Sequence, residues 1–205
     1  MAKQPKVRFK GDMHWQNIKL GDLFEKQLVN QSDTSKRKHG EANYVNRQIV
    51  YHSPLIESMD FPKVEIDEDA DELQKGDVLF TSSSGKPTEI AKAAVIGFEP
   101  THLYAGDFVY AFRPKVKFNP SFLTFVLNEK PDIRQAFADR AQKGTSLSNI
   151  KAKDILKVTI PFLDYNSQER VGKILKSLNA DIHNLEANND VLESYKKWAM
   201  QNLFI

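Results

Sequence analysis

Residues 166–203, NSQERVGKILKSLNADIHNLEANNDVLESYKKWAMQNL, form the most regular stretch of the sequence. Side chains suited to a helix seam recur there every seven residues, in two sets that run side by side. Because no proline interrupts the pattern, it predicts a single helix of roughly 55 Å, longer than one domain needs to cover its core. The two sets are Val171, Leu178, Leu185, Leu192 and Ala199, and Leu175, Ile182 and Asn189.

A sustained seven-residue repeat predicts that this helix pairs with a helix of another chain, as in a coiled coil. The alternative is an amphipathic helix that folds back on its own domain. Asn189 in the repeat would favour alignments in which its amide finds a partner, or it is an exposed residue near a helix end. Neither interpretation decides between parallel and antiparallel pairing. Asn166, followed by Glu169, is predicted to cap the start of the helix.

The segments before this helix alternate between strand-like and helix-like apolar periods. Helices are predicted at 19–27, from Asn119-Pro120, and from Pro131 to about residue 142. Strands are predicted at 47–51, 77–82, 93–98, 103–112 with a bulge at Gly106, and 155–162, whereas 30–46 and 143–148 are predicted loops. This order indicates an α+β fold, with an irregular mixed α/β domain over residues 1–163 and one long coiled-coil helix over residues 164–205.

Composition excludes several classes of protein. The 205 residues carry a net charge of +2 and contain no cysteine, so disulfides, thiol nucleophiles and cysteine-based zinc sites are absent. The five histidines are scattered without metal-binding spacing, and no metal site is expected. No apolar run approaches the roughly 20 residues that a membrane span needs, and no secretory signal is visible. A cytoplasmic protein is therefore expected.

Catalytic motifs are incomplete. Gly85-Lys86 follows a predicted strand, but Phe80 and Pro87 stand where a phosphate loop needs glycine and a hydroxyl residue. The segment Asn119-Pro120-Ser121-Phe122 is similar to the Asn-Pro-Pro-Tyr/Phe element of adenine-specific DNA methyltransferases, yet no Phe-x-Gly-x-Gly cofactor loop occurs. Helix capping by Asn119 accounts for the same residues, so no catalytic residue is predicted.

Two polar loops, at residues 82–86 and 143–148, each combine small hydroxyl residues with a glycine and a lysine. Such loops allow backbone amides and cations to approach phosphates, while hydroxyls reach base edges. Ordinary turn chemistry is the competing explanation. A separate basic stretch lies at residues 36–47. Together with the two loops and Lys92, it gives the candidate DNA-binding residues: Lys36, Arg37, Lys38, Arg47, Lys86, Lys92, Lys143, Thr145 and Ser148.

Taken in order, several segments resemble the specificity subunit of type I restriction-modification systems. Residues 7–23 are similar to that family's opening, and Gly76-Asp-Val-Leu-Phe-Thr-Ser82 resembles its central strand. Lys143-Gly-Thr-Ser-Leu-Ser-Asn-Ile150 is similar to its Gly-Thr-x-x-x-Asn-Ile segment. Residues 168–175 and 196–204 resemble the start and the end of its long helix.

The resemblance implies a half-length form, with one target recognition domain where the family has two. It implies a homodimer through an antiparallel helix pair, which would read an interrupted palindrome in double-stranded DNA. It further implies a methyltransferase subunit that binds S-adenosylmethionine and a nuclease-translocase subunit as partners, and no cofactor in this chain. Two other classes compete with this interpretation: a small adenine-specific DNA methyltransferase, and a coiled-coil adaptor with no DNA role.

Overall fold

The computed structural model describes residues 13–30, 37–66 and 69–202. At residues 37–39, 179, 180, 183, 186–188 and 190–202 it describes the backbone only. The helices are α1 (Arg47–His52), α2 (Pro120–Glu129), α3 (Pro131–Ala138), α4 (Ala152–Ile155) and α5 (Tyr165–Asn202). Within the described residues, none of these helices combines the length and the apolarity required to cross a bilayer.

Over residues 13–30, 37–66 and 69–202, the strands form four small sheets. The largest has the order β2 (Phe24–Gln27), β10 (Val109–Pro114), β6 (Val78–Thr81), β8 (Ala93–Ile96) and β4 (Leu55–Ile56). A second has the order β5 (Lys63–Val64), β3 (Arg37–Val45) and β9 (Leu103–Ala105), and β1 (Gln16–Lys19) pairs with β13 (Thr159–Phe162). The last joins β11 (Gln142–Lys143), β12 (Ser148–Asn149) and β7 (Ser83–Ser84). This mixture confirms the predicted α+β class.

The central strands β6 and β8 of the five-stranded sheet are buried on both faces. Along β6, Val78 and Phe80 point into a core shared with α2 and α3, whereas Leu79 points into a second core on the opposite face. Ala93 to Ile96 of β8 alternate in the same way. Because successive side chains of a strand face opposite sides, burial of both sides requires the uninterrupted apolar runs seen here. The strands predicted at 77–82 and 93–98 are confirmed.

Arg134 on α3 holds the segment that enters β8. Its guanidinium is buried and donates hydrogen bonds to the carbonyl oxygens of Thr88 (3.1 Å), Ala91 (3.1 Å), Ile90 and Leu127 (3.2 Å). Burial lowers the pKa of Arg134 to about 10, so the group is still charged at neutral pH. The carbonyl oxygens thereby solvate a cation that has no buried carboxylate beside it.

Asn119 joins α2 to α5. Its side-chain oxygen accepts from the amide of Phe122 (3.0 Å), which confirms the predicted N-cap, and its amide nitrogen donates to Glu169 (2.8 Å). The backbone amide of Asn119 donates to the side chain of buried Gln168 (2.9 Å). A Cβ atom at Gly172 would lie 2.7 Å from Asn119 Nδ2 and closer still to Oδ1. Only glycine at this position lets the two helices approach so closely.

The start of α5 differs from the prediction. Asp164, not Asn166, caps the helix by accepting from the amide of Ser167 (3.0 Å), and Tyr165 is the first helical residue. Glu169 bonds Asn119 and does not close a capping box. This hydrogen bond, ahead of one from Tyr165, holds the pKa of Glu169 below its ordinary value.

The helix predicted at 19–27 is wrong. The chain forms β1, a single 3₁₀ turn over Leu20–Leu23, and then β2. The amides of Leu20 and Gly21 donate to the carbonyl oxygens of Val158 and Leu156 (both 2.9 Å). Long-range pairing therefore replaces the local helical bonds, although Leu20 and Leu23 are buried as their spacing indicated.

Two further predictions are reversed between residues 30 and 51. Part of the predicted loop is strand β3, because Asn43 to Val45 pair in parallel with β9. The predicted strand at 47–51 is helix α1, since the Asn46 side chain accepts from the amide of Ile49 (3.0 Å) and caps a helical turn. The cap outweighs the weak strand preference of two β-branched residues.

Three boundaries are also corrected. The strand predicted at 103–112 is two strands in different sheets, β9 and β10, separated at Gly106 to Phe108. The helix from Pro131 ends at Ala138, and the predicted strand at 155–162 begins only at Thr159, after the short helix α4. The predicted loop 143–148 begins and ends in the paired strands β11 and β12.

We expect Gly172→Ala to lower the free energy of unfolding by about 2 kcal/mol, because the added methyl group overlaps the Asn119 carboxamide. Urea denaturation measures this loss. Gly85→Ala is the matched control: a Cβ there meets nothing within 4 Å, and its change should stay within about 0.5 kcal/mol. Equal effects of the two substitutions would contradict close packing between α2 and α5.

Arg134→Met should cost about 3 kcal/mol or more, since it leaves several buried carbonyl oxygens without a donor. Arg140→Met is its control, because Arg140 is exposed and its guanidinium donates to the carbonyl oxygen of Ala136 near the end of α3. Thermal unfolding of both variants at equal concentration makes the comparison. A loss confined to Arg140→Met would contradict the assigned role of Arg134.

Candidate nucleic-acid interface

The two polar loops singled out in the sequence meet in one three-stranded sheet. Ser84 of β7 pairs with Ser148 of β12, which in turn pairs with Lys143 of β11. The amide of Ile150 donates to the carbonyl oxygen of Ser82 (2.9 Å) and continues the contact beyond the strands. Segments about 60 positions apart in the sequence thus form one continuous surface (82–86 and 143–150).

The tip of this surface is a tight turn over Gly144 to Leu147. The amide of Gly144 donates to the carbonyl oxygen of Leu147 (2.9 Å), and a Cβ at Gly144 would lie only 2.6 Å from that oxygen. Thr145 and Lys143 are exposed, whereas Ser148 is buried. Glycine is therefore required for the turn, and the turn presents a hydroxyl and a cation to the outside.

Ser83 and Ser84 are buried at the base of the same surface. The hydroxyl of Ser84 accepts from the amide of Lys86 (3.2 Å), which is a local turn contact. Ser84 and Ser148 therefore support the backbone of the surface, while its exposed chemistry comes from the residues around them.

Two further predicted residues, Arg47 and Lys86, lie beside the paired serines. Arg47, the first residue of α1, donates from Nη1 to the carbonyl oxygen of Ser83 (3.4 Å). The Lys86 ammonium group is 75% exposed and lies 3.5 Å from the Glu89 carboxylate. A hydrogen bond from Tyr51, and then the charge of Lys86, hold the pKa of Glu89 below its ordinary value.

The surface therefore brings together Arg47, Lys86, Lys143, Thr145 and Ser148. Three cations and several hydroxyls at one edge suit an anionic ligand with hydrogen-bonding groups, as a nucleic acid is. The chain's small net charge places the attraction in this local group and not in a domain-wide field.

Lys92 lies outside this group. Its backbone exchanges hydrogen bonds with Thr81 across β6 and β8, and its side chain is 3.9 Å from Glu129 on α2. Lys36 lies outside the described residues. Arg37 and Lys38 belong to β3, where the backbone of Arg37 pairs with Val64.

The residues predicted for helix pairing fall into three groups along α5. Val171 is buried in the core of its own domain, so it is not available to a partner helix; the helix needs its first turns to attach to the globule. Leu175 is half-buried, and Leu178, Ile182, Leu185 and Asn189 are exposed. Leu192 and Ala199 lie in the helix, where the backbone alone is described.

Leu178, Ile182 and Leu185 form an exposed apolar stripe along α5. Ile174, which the sequence analysis missed, is also exposed and lies one turn before Leu178. The stripe borders an open groove of about 590 Å³ between α5, α2 and the end of α1. Phe125, Leu175 and Ile182 contribute apolar surface to the groove. Ile174 was missed because the seven-residue pattern was fitted to its neighbours, although a four-residue step from Ile174 to Leu178 indicates the same face.

In the part of the chain that the structure describes, no group of three or more histidine or acidic residues is arranged to hold a metal ion. Asn119 lies in the segment similar to the methyltransferase motif. Its side-chain oxygen accepts from the Phe122 amide, and its side-chain nitrogen donates to Glu169. Its contacts are those of a helix cap and a helix junction.

Comparison with known proteins supplies the family. The family model described as the type I restriction modification DNA specificity domain matches residues 13–194. A protein of Methanocaldococcus jannaschii, named as the MjaX type I restriction enzyme specificity subunit, is 30% identical over 132 residues. That alignment covers 63% of this chain and 30% of the relative.

Solved structures agree in fold. The S subunit of a type I restriction-modification system from M. genitalium has a TM-score of 0.57 at 14% identity, over 98% of this chain and 48% of the relative. The HsdS subunit from Thermoanaerobacter tengcongensis has a TM-score of 0.56 at 17% identity, over 91% and 42%. A chain from a type I restriction-modification system, solved in work on its complex assembly and conformational transition, has a TM-score of 0.64 at 16% identity, over 96% and 46%.

The chain spans less than half the length of each of these relatives. The family match, by contrast, covers most of the chain and includes the paired loops and the first part of α5. The chain therefore belongs to the family of type I restriction-modification DNA specificity domains.

Proposed function

We propose that this chain recognises a specific sequence in double-stranded DNA and performs no chemistry on it. The observation that carries the proposal is the pairing of segments 82–86 and 143–150 into one surface with three cations at its edge. Cations would bind phosphates and set the register, while the exposed hydroxyls and backbone groups would reach base edges. Membership of a DNA specificity family supports the same assignment.

The relatives suggest the assembly in which this would happen. We propose that the chain acts with a methyltransferase subunit, which would bind S-adenosylmethionine, and with a nuclease-translocase subunit. In this arrangement the chain needs no cofactor of its own and works in the cytoplasm. The exposed stripe of α5 and the groove beside it provide an apolar surface on which another helix could pack.

We further propose that two copies pair through α5, with their helices antiparallel. Ile174, Leu178, Ile182 and Leu185 are all exposed in the single chain, and burying such side chains stabilises an association by about 25 cal/mol per Å². Two identical readers related by twofold symmetry would recognise an interrupted palindrome.

Lys86→Ala combined with Lys143→Ala should weaken binding to every duplex and flatten the salt dependence. Loss of two phosphate contacts reduces the slope of log K against log salt concentration by about 1.8 per domain. Fluorescence anisotropy, repeated at salt concentrations from about 50 to 300 mM, measures this slope. An unchanged slope would contradict the assignment of these lysines.

The matched control for this experiment is Lys75→Ala combined with Lys157→Ala. Both lysines are exposed and the charge change is the same, but Lys75 precedes β6 whereas the interface lies after its end. Lys157 lies between α4 and β13. We expect this variant to retain the wild-type slope, because Lys75 and Lys157 lie outside the candidate interface and salt screens their charges from phosphates bound there.

Leu178→Glu combined with Leu185→Glu should convert the dimer to a monomer at micromolar concentration, because it places carboxylates in the apolar seam. Sedimentation velocity distinguishes the two states. Ser177→Glu combined with Asn184→Glu adds the same charges one position before each leucine and should leave the dimer intact. Wild-type protein that sediments as a monomer without partners would refute pairing through α5.

A further inference from the structure

Phe108 occupies a backbone conformation that its side chain does not suit. Its φ angle is +60°, in the left-handed region that favours glycine and is rarely occupied by bulky residues. Its phenyl ring is 55% exposed, so burial does not offset the unfavourable backbone. Within a single chain, both considerations disfavour phenylalanine at this position.

The other described non-glycine residues with positive φ, Ala91 and His102, have intramolecular roles. Ala91 is fully buried and its carbonyl oxygen accepts from Arg134 (3.1 Å), and the amide of His102 donates to the Glu72 carboxylate. At Phe108 the backbone has such a role, since its carbonyl oxygen accepts from Ser82 (2.8 Å). The ring contributes nothing to that bond, and glycine would provide it with less strain.

The turn that carries Phe108 is held in place from two sides. A Cβ atom at Gly106 would lie 2.6 Å from the Tyr44 ring, so the backbone lies directly against that ring. The Asn30 side-chain amide donates to the carbonyl oxygens of Gly106 and Val109, on either side of Phe108. The ring therefore projects from a fixed base, which lowers the entropic cost of using it in a contact.

Phe108 also lies next to the candidate interface. Ser82, whose amide binds the Phe108 carbonyl, is the residue whose own carbonyl accepts from Ile150. Val109 pairs with Thr81 at the end of β6, from which the 82–86 segment leaves. One exposed aromatic ring thus borders a surface whose exposed side chains include Lys86, Lys143 and Thr145, with Leu147 as the exposed apolar residue of its turn.

Building on the proposed DNA-recognition function, we propose that Phe108 reads DNA by apolar contact with the C5-methyl group of a thymine in the major groove. A phenyl ring has no hydrogen-bonding group, and this methyl is the apolar feature that a base edge offers there. Two exposed lysines and a threonine hydroxyl against a single exposed leucine favour DNA over an apolar protein partner, whose contacts would require several apolar side chains around the ring.

The test uses the full-length chain and a target duplex selected from a random pool. Each thymine of that duplex is replaced in turn by deoxyuridine, which lacks only the methyl group. For the wild-type protein, one replacement should weaken binding about fourfold, the value expected for one buried methyl group. Phe108→Ala should bind the unmodified duplex more weakly and show no penalty at that same thymine.

The outcomes separate the two proposals. Met59→Ala is the control, because Met59 is a similarly exposed apolar residue outside the candidate interface and the groove, and this variant should keep the full deoxyuridine penalty. An equal penalty in wild type and Phe108→Ala, or weaker methyltransferase association with unchanged DNA binding, would overturn the role of Phe108 alone. Failure of the wild-type chain to select any sequence would overturn the DNA-recognition function and this inference together. Unchanged thermal unfolding of Phe108→Ala verifies that the fold is intact.

Discussion

The contact between Asn119 and the first turns of α5 determines how the molecule is arranged. One carboxamide caps α2, bonds Glu169 and lies against Gly172, while the adjacent backbone amide bonds buried Gln168. Because Gln168 is buried, a substitution that breaks its bond with the Asn119 amide leaves a buried side-chain oxygen unpaired. Because Val171 is also in the core, the base of α5 is part of the domain and the helix leaves it in a fixed direction. Any helix that packs on the exposed stripe is then held at a defined position relative to this domain.

The interface depends on the central sheet in a similar way. The strands that carry it, β7, β11 and β12, have two residues each and could not stand alone. They are held because β6 continues directly into β7 and because the Ile150 amide bonds Ser82 at the junction. Arg134 and Asn128 secure the return segment into β8, where Asn128 bonds both the amide and the carbonyl of Ala93 (2.8 Å each). The central strands β6 and β8, which are buried on both faces, thus support a polar surface made of two-residue strands.

Local patterns predicted the parts of the fold that local interactions determine. The α2 cap and the doubly buried strands β6 and β8 each follow from a few consecutive residues. Strand β3 and the strands at 16–27 were missed because their pairing partners lie far away in the sequence, and a polar composition hid the former. At the candidate site the sequence identified both loops but not their pairing, which is set by the register of Ser84 against Ser148. Arg134 and Phe108 were missed because no local sequence pattern reliably indicates a buried cation bound by carbonyl oxygens or a residue with positive φ. Gly106-Asp107, just before Phe108, is the local feature that indicates a turn there.

A net charge of +2 limits how a single domain of this kind can bind DNA. Three phosphate contacts would give a modest salt-dependent affinity, far below that of a protein making about six to ten such contacts. If the chain reads DNA as proposed, one domain must either use directional and apolar base contacts or act together with a second domain. Linking two readers makes the second contact intramolecular and raises the overall affinity by about 10² to 10⁴ without any new contact, provided that the spacing between them is fixed. The attachment of α5 at Asn119 meets that condition. The low net charge of the domain is therefore consistent with a long helix that would hold two copies at a fixed spacing.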